Sequence, residues 1–87
     1  MSSAQPGNTP MVTSELRAIW SELLVAESIE DHDNFVALGG DSIAATLCTM
    51  RIDMVFSVEI DVSFLLRDDT DFALLVNEIE ARMAPTA

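Results

Sequence analysis

The sequence predicts an all-α fold: a small helical bundle of three main helices plus one short helix, with a long loop between helices one and two. Three stretches carry apolar residues at the three-and-four spacing of a helix face. Only one segment alternates like a strand, and it has no second strand to pair with. At 87 residues, 49% of them hydrophobic, the chain makes one domain with enough apolar material for a core, and far too much for a disordered tail.

Residues 1–12 have the small, polar, Pro/Gly composition of a flexible leader, and residues 83–87 read as a flexible tail, leaving 13–82 as the folded domain. Thr13 or Ser14 can cap a first helix whose face is Leu16, Ile19, Trp20, Leu23 and Leu24. The acidic stretch Glu27 to Asn34 then reads as a loop, closing with Phe35, Val36 and Leu38 as buried residues. Ordered loops of this length are uncommon and tend to be functional. The second helix, Ile43 to Phe56, is predicted to bury Ile43, Leu47, Met50 and Met54, with Ala44 and Cys48 widening the stripe. Ser57 to Val62 alternates but is read as an extended loop. Ser63 can cap a short helical piece over Phe64, Leu65 and Leu66. The cluster Asp68-Asp69-Thr70-Asp71 supplies caps for a last helix with Phe72, Leu75, Val76 and Ile79 on its buried face.

Fifteen acidic residues face four arginines and no lysine, a net charge of −11. That excludes binding to a phosphate backbone, which needs protein cations, and favours basic protein partners. No apolar run approaches the ~18 residues of a membrane span. The N-terminus lacks a secretory pattern, so the chain is expected to be cytoplasmic. A single cysteine, Cys48, gives no disulfide framework and no metal site by itself, and its place on the helix-two stripe suits a buried small hydrophobe.

Leu38-Gly39-Gly40-Asp41-Ser42 carries the chemistry. It places a hydroxyl at the first turn of a helix, where unpaired N–H groups and the positive end of the helix dipole favour a phosphate ester. Asp41 is the better cap, which frees Ser42 to project. Phe35-x-x-Leu38-Gly39-Gly40-Asp41-Ser42-Ile43, followed by Leu47, Arg51-Ile52 and Phe56, resembles the attachment motif of phosphopantetheine-dependent carrier proteins, the acyl, peptidyl and aryl carriers. The likeness covers roughly residues 13–82 and is strongest to discrete peptidyl (aminoacyl) carriers, which favour the double glycine. It implies Ser42 as the anchor of 4′-phosphopantetheine and conformational roles for Gly39 and Gly40. It also implies that Asp41 assists the phosphopantetheinyl transferase, near that enzyme's Mg²⁺ or opposite its basic surface. Ser57, Asp61-Val62 and Arg67 to Thr70 depart from the family pattern and leave the shape of the helix-three region open.

A hydrolase reading of Gly40-Asp41-Ser42-Ile43-Ala44 fails. A nucleophile elbow needs a preceding strand, a glycine where Ala44 stands and a histidine after the serine, and the one histidine is His32. Asp31-x-Asp33 lacks the further ligands of a calcium loop. Trp20 and the methionines are expected in the core, with Met50 or Met54 able to line a groove. The resemblance therefore implies a free-standing, monomeric, non-enzymatic carrier holding an aminoacyl or acyl thioester, in nonribosomal peptide or amino-acid-primed polyketide biosynthesis. Its implied partners are the phosphopantetheinyl transferase, adenylating or acyl-transferring enzymes and downstream synthase modules, with neither nucleic acid nor membrane. Docking is expected at Ile43, Thr46 and Thr49, helped by Phe64 and Leu65, through apolar contact and hydrogen bonds because helix two lacks a row of acids. The alternatives are an acyl carrier for polyketide or fatty chains, and an acidic helical docking module whose Ser42 is never modified.

Overall fold

The computed structural model describes residues 11–83, so most of the leader expected over 1–12 and of the tail expected over 83–87 lies outside the described residues. Four helices follow in order: α1 Val12–Leu24, α2 Ser42–Phe56, α3 Val62–Leu65 and α4 Phe72–Met83. Helix α1 packs against α2 and α4, and α3 packs against α2. Among the described residues there is no strand, only an isolated antiparallel bridge between Asn34 and Asp71.

Helix α1 buries Leu16, Ile19 and Trp20 as its spacing predicts, with Leu23 and Leu24 half-buried against the core. Neither Thr13 nor Ser14 caps it. The helix begins just before them because Val12 completes the same stripe and is 5% exposed, so Val12 belongs to the core and not to the leader. At the other end of the domain, Met83 lies within α4 and packs on the core, so the last helix outruns the expected boundary.

Helix α2 turns the other way from the predicted one. Ala45, Cys48, Ile52 and Phe56 are buried, while Ile43, Leu47, Met50 and Met54 are 70%, 45%, 55% and 79% exposed. The helix is apolar on almost every side, so two stripes satisfy the same spacing. The small side chains of Ala45 and Cys48 face inward, where they take little room between packed helices. Burial pushes the Cys48 thiol up to about 12, which outweighs the opposing pull of the Trp20 indole and the Arg51 charge. Cys48 is therefore an inert core residue.

After α2, Val58 and Ile60 point inward and Glu59 outward, so the alternation is real but serves a single extended segment. Asp61, not Ser63, caps α3: its carboxylate accepts from the Ser63 N–H at 3.0 Å and the Ser63 hydroxyl at 2.9 Å. Those bonds, the backbone one foremost, hold the Asp61 carboxyl below its usual range. Helix α4 is capped by Asp71, whose carboxylate accepts from the Leu74 N–H at 2.8 Å, and buries Phe72, Leu75, Val76 and Ile79 as predicted.

The core closes around Trp20. Phe35 meets its ring edge-on at 5.1 Å between centroids, and Phe72 does so at 5.2 Å. Such edge-to-face pairs add about 0.5–1.5 kcal/mol each beyond area burial. The Trp20 indole N–H finds no acceptor in hydrogen-bond geometry among the described residues, and the neighbouring Cys48 sulfur is only a weak one. The long loop is held to this centre. Its Ile29 is buried at 2%, and Arg17 donates to the Ile29 carbonyl, pairs with Asp31 at 3.5 Å and lies 4.7 Å over the Phe72 ring. The N–H groups of Phe72 and Ala73, which no carbonyl within α4 can reach, donate to the carbonyls of Asp33 and Asp31 at 2.8 and 3.0 Å. Val36, expected inside, is 41% exposed because the loop turns outward after Phe35.

Among the described residues two side chains occupy left-handed backbone: Val25 at φ 51° after α1 and Ser57 at φ 58° after α2. A β-branched residue is poorly suited to that conformation, and Val25 is 88% exposed, so it gains little by packing. Replacement of Val25 by glycine is expected to raise stability by about 1 kcal/mol, read as a melting temperature several degrees higher. An unchanged or lower melting temperature would show that the turn carries no such strain.

Candidate functional site

Ser42 opens α2, exposed at the helix N-terminus, and among the described residues nothing engages its hydroxyl in a hydrogen bond. Asp41 supplies the cap: its carboxylate accepts from the Ala44 N–H at 2.9 Å and its carbonyl from the Ala45 N–H at 2.8 Å. The N–H groups of Ser42 and Ile43, at the helix start, are thereby left without an intrahelical acceptor. The Ser42 carbonyl accepts from the Thr46 hydroxyl at 2.8 Å, which braces the first turn.

The two glycines act for different reasons. Gly39 adopts φ 98°, a conformation that side chains resist, with open space around it. Gly40 is buried, and a Cβ there would lie 2.3 Å from the Phe35 ring and 2.8 Å from the Phe35 carbonyl oxygen. The same carbonyl accepts from the Gly40 N–H at 2.9 Å. The ring of Phe35 thus presses directly on backbone two residues ahead of Ser42. Asn34 starts this turn, accepting from the Val36 and Ala37 N–H groups at 3.0 and 3.2 Å. Its role is not apparent from the sequence, although an asparagine just before a turn is a common initiator.

Around this point the surface differs from expectation. Ile43 and Thr46 are exposed, as docking requires, although the helix stripe placed Ile43 inside; Thr49 is half-buried and Leu65 is fully buried, so Leu65 is a core residue and not a docking one. Phe64 is half-buried, with the Arg67 guanidinium 5.4 Å from its ring centre. The Thr46 and Thr49 hydroxyls donate to helix carbonyls, so they offer a partner lone pairs but no proton. The dominant exposed feature of α2 is its apolar row Ile43, Leu47, Met50 and Met54, which spacing alone places inside. An open cleft of about 470 Å³ runs beside it, lined by Met50, Asp53, Ile60, Asp61 and Arg82 among others. It is mixed in polarity and no apolar tunnel. His32, 82% exposed, stands near Asp33 in the loop, and no cluster of metal-ligating side chains occurs among the described residues. No helix is long and apolar enough to cross a membrane among those residues.

A free hydroxyl at a capped helix start, with two unpaired N–H groups and glycine backbone before it, fits a phosphodiester in charge and in space. Comparison with known proteins agrees in kind. The family model described as the phosphopantetheine attachment site matches residues 14–79. The chain is 40% identical over 80 residues to phosphinothricin tripeptide synthetase PhsB of Streptomyces viridochromogenes, covering 90% of this chain and 7% of that protein. It is 31% identical over 74 residues to tyrocidine synthase 3 of Brevibacillus parabrevis, covering 85% of this chain and 1% of that protein. It therefore spans only a small fraction of the length of these curated relatives. Among solved structures it superimposes on a chain from the complex of the phosphopantetheine transferase Sfp with coenzyme A and a peptidyl carrier protein. There the TM-score is 0.76 at 26% identity, over 85% of this chain and 95% of that one. BlmI, a type-II acyl-carrier-protein from Streptomyces verticillus involved in bleomycin biosynthesis, gives a TM-score of 0.73 at 30% identity, over 84% and 87% of the two chains.

The glycine pair makes a paired prediction. Gly40→Ala forces the Phe35 ring away from Gly40 and against Trp20, and is expected to cost about 2–3 kcal/mol, as overpacking does. Gly39→Ala meets no atom and is expected to cost only the backbone strain, about 1–2 kcal/mol. Thermal unfolding with near-ultraviolet circular dichroism checks both, since only the first should disturb the Trp20 signal.

Proposed function

The chain belongs to the phosphopantetheine-attachment-site family, and from that premise we propose that Ser42 is the residue a partner transferase modifies. The observation that carries the assignment is the unengaged Ser42 hydroxyl at the first position of α2, with the N–H groups of Ser42 and Ile43 open to an anionic ester. Gly39 and Gly40 shape the turn, and Asp41 holds the helix start while presenting an exposed negative charge beside the hydroxyl. That charge needs a cation from the partner when a phosphate approaches. The likeness to a carrier solved with its transferase supports this reading. When bound, 4′-phosphopantetheine supplies a terminal thiol that holds a cargo as a thioester. The protein's own part is anchoring and recognition.

We read the chain as a free-standing carrier of nonribosomal peptide biosynthesis, or of amino-acid-primed polyketide biosynthesis, with an aminoacyl cargo. The peptide synthetase relatives support the pathway, and the likeness to BlmI, itself a type-II carrier, supports the free-standing form. The open, mixed cleft offers no burial to a long acyl chain, which favours a short polar cargo. Docking is assigned to Ile43, Leu47, Met50 and Met54 with Thr46, approached from the α3 side past Phe64. Adenylating enzymes and downstream synthase modules are the partners this reading implies.

Intact mass after incubation with coenzyme A and a broad-range transferase is expected to rise by one phosphopantetheinyl group. Ser42→Ala should stay folded, losing ~1 kcal/mol or less, and gain nothing. Subsequent treatment with adenylating enzymes should add an aminoacyl group to the modified wild type alone. Modification of Ser42→Ala would overturn the anchor. Loading by acyl-transferring enzymes alone would move the cargo to the acyl class.

Replacement of Ile43, 70% exposed, by aspartate is expected to leave the melting temperature nearly unchanged and weaken transferase binding about tenfold, ~1.4 kcal/mol. Added salt should weaken wild-type binding only mildly, because the contact is apolar. A steep salt dependence would shift the docking role to the acidic loops.

A further inference from the structure

The amide of Asn34 joins two segments that are far apart in sequence. Its oxygen accepts from the Val36 and Ala37 N–H groups, at 3.0 and 3.2 Å, at the start of the turn that leads to Gly40. Its nitrogen donates to the carbonyls of Asp68 and Thr70 at 3.0 and 2.9 Å, with the Arg67 carbonyl at 3.4 Å. An amide nitrogen has two protons, so the two shorter bonds carry the contact. The carbonyls on one side and N–H groups on the other suit an amide and no other short side chain. An aspartate would set a negative charge against three carbonyl oxygens.

The segment that Asn34 grips is poorly held by its own backbone bonds, although the exposed Arg67–Asp69 pair at 2.7 and 2.8 Å ties two of its side chains. Leu66 donates to Val62 at 3.3 Å, Arg67 to Phe64 at 3.4 Å and Thr70 to Arg67 at 3.4 Å, all at the long end of hydrogen bonding. The start of α4 has separate ties, from the Phe72 and Ala73 N–H groups to Asp33 and Asp31. Loss of Asn34 would therefore free the α3–α4 turn more than the bundle. We propose that Asn34 is a positioning residue for modification: it fixes the distance between the Ser42 turn and the α3 side of the docking surface. This role rests on the assignment of Ser42 as the modified residue.

The test is transferase kinetics on three variants of the full chain. Asn34→Asp keeps the acceptor half and loses the donor half. Asn34→Ala loses both. Ile79→Val trims the core in α4 and serves as a control of comparable destabilisation, remote from both ties. For Asn34→Asp, KM for the carrier is expected to rise about fivefold with kcat within about twofold of wild type. Its amide chemical shifts should change at Leu66 to Thr70 and persist at Val36 and Ala37, whereas Asn34→Ala should move both sets and lower kcat as well. Ile79→Val should leave KM unchanged. A wild-type KM in Asn34→Asp, or an equal rise in Ile79→Val, would overturn the positioning role while leaving Ser42 in place. A wild-type chain that accepts no group would overturn the Ser42 assignment instead, and this role with it.

Discussion

The contact of the Phe35 ring with the bare backbone of Gly40 is the constraint on which the site depends. Phe35 is fully buried and meets Trp20 edge-on, and Trp20 in turn meets Phe72 of α4. Through this chain of rings the start of α2 is referenced to the centre of the molecule. Any side chain at Gly40 would push the ring back toward Trp20, so the exposed hydroxyl of Ser42 is positioned by close packing beneath it. The exposed site is precise because its underside is buried.

Charge and apolar surface are set apart on this molecule. Each of the four arginines already has an acidic partner: Arg17 with Asp31, Arg51 with Glu22, Arg67 with Asp69 and Arg82 with Glu78. These exposed pairs add little stability, but they leave the remaining acids unopposed, so a partner meets a negative field. Within that field the row Ile43, Leu47, Met50 and Met54 stands uncharged. Under the docking role proposed for α2, long-range attraction would bring a basic partner near and short-range apolar contact would hold it. Methionine suits such a face because its unbranched, polarizable side chain adapts to different partners.

The loop between α1 and α2 works as structure and not as slack. Its carbonyls at Asp31 and Asp33 satisfy the N–H groups of α4, Ile29 is buried in the core, and Arg17 and Asn34 tie it to other elements. Acidic composition suggests a solvated stretch, and the acidic side chains are indeed largely outside. The ordering comes from the backbone, whose hydrogen bonds composition does not reveal.

The amino-acid sequence alone determined what depends on near neighbours. Helices α1 and α4 mix polar and apolar residues, so only one face of each can be buried, and Leu16, Trp20, Leu75 and Ile79 fall on it. The cap by Asp41 and the freedom of Ser42 are likewise local, settled within one helical turn. Tertiary structure decided what spacing leaves degenerate. Helix α2 is apolar nearly all round, and which stripe goes inward depends on the packing around Ala45 and Cys48, which the periodicity of the helix itself does not encode. The same holds for Asn34, whose amide nitrogen finds its acceptors in the distant α3–α4 turn, and for Ile29, a loop residue buried in the core. A side chain that bonds or packs across the fold acquires its role only when the chain has closed around it.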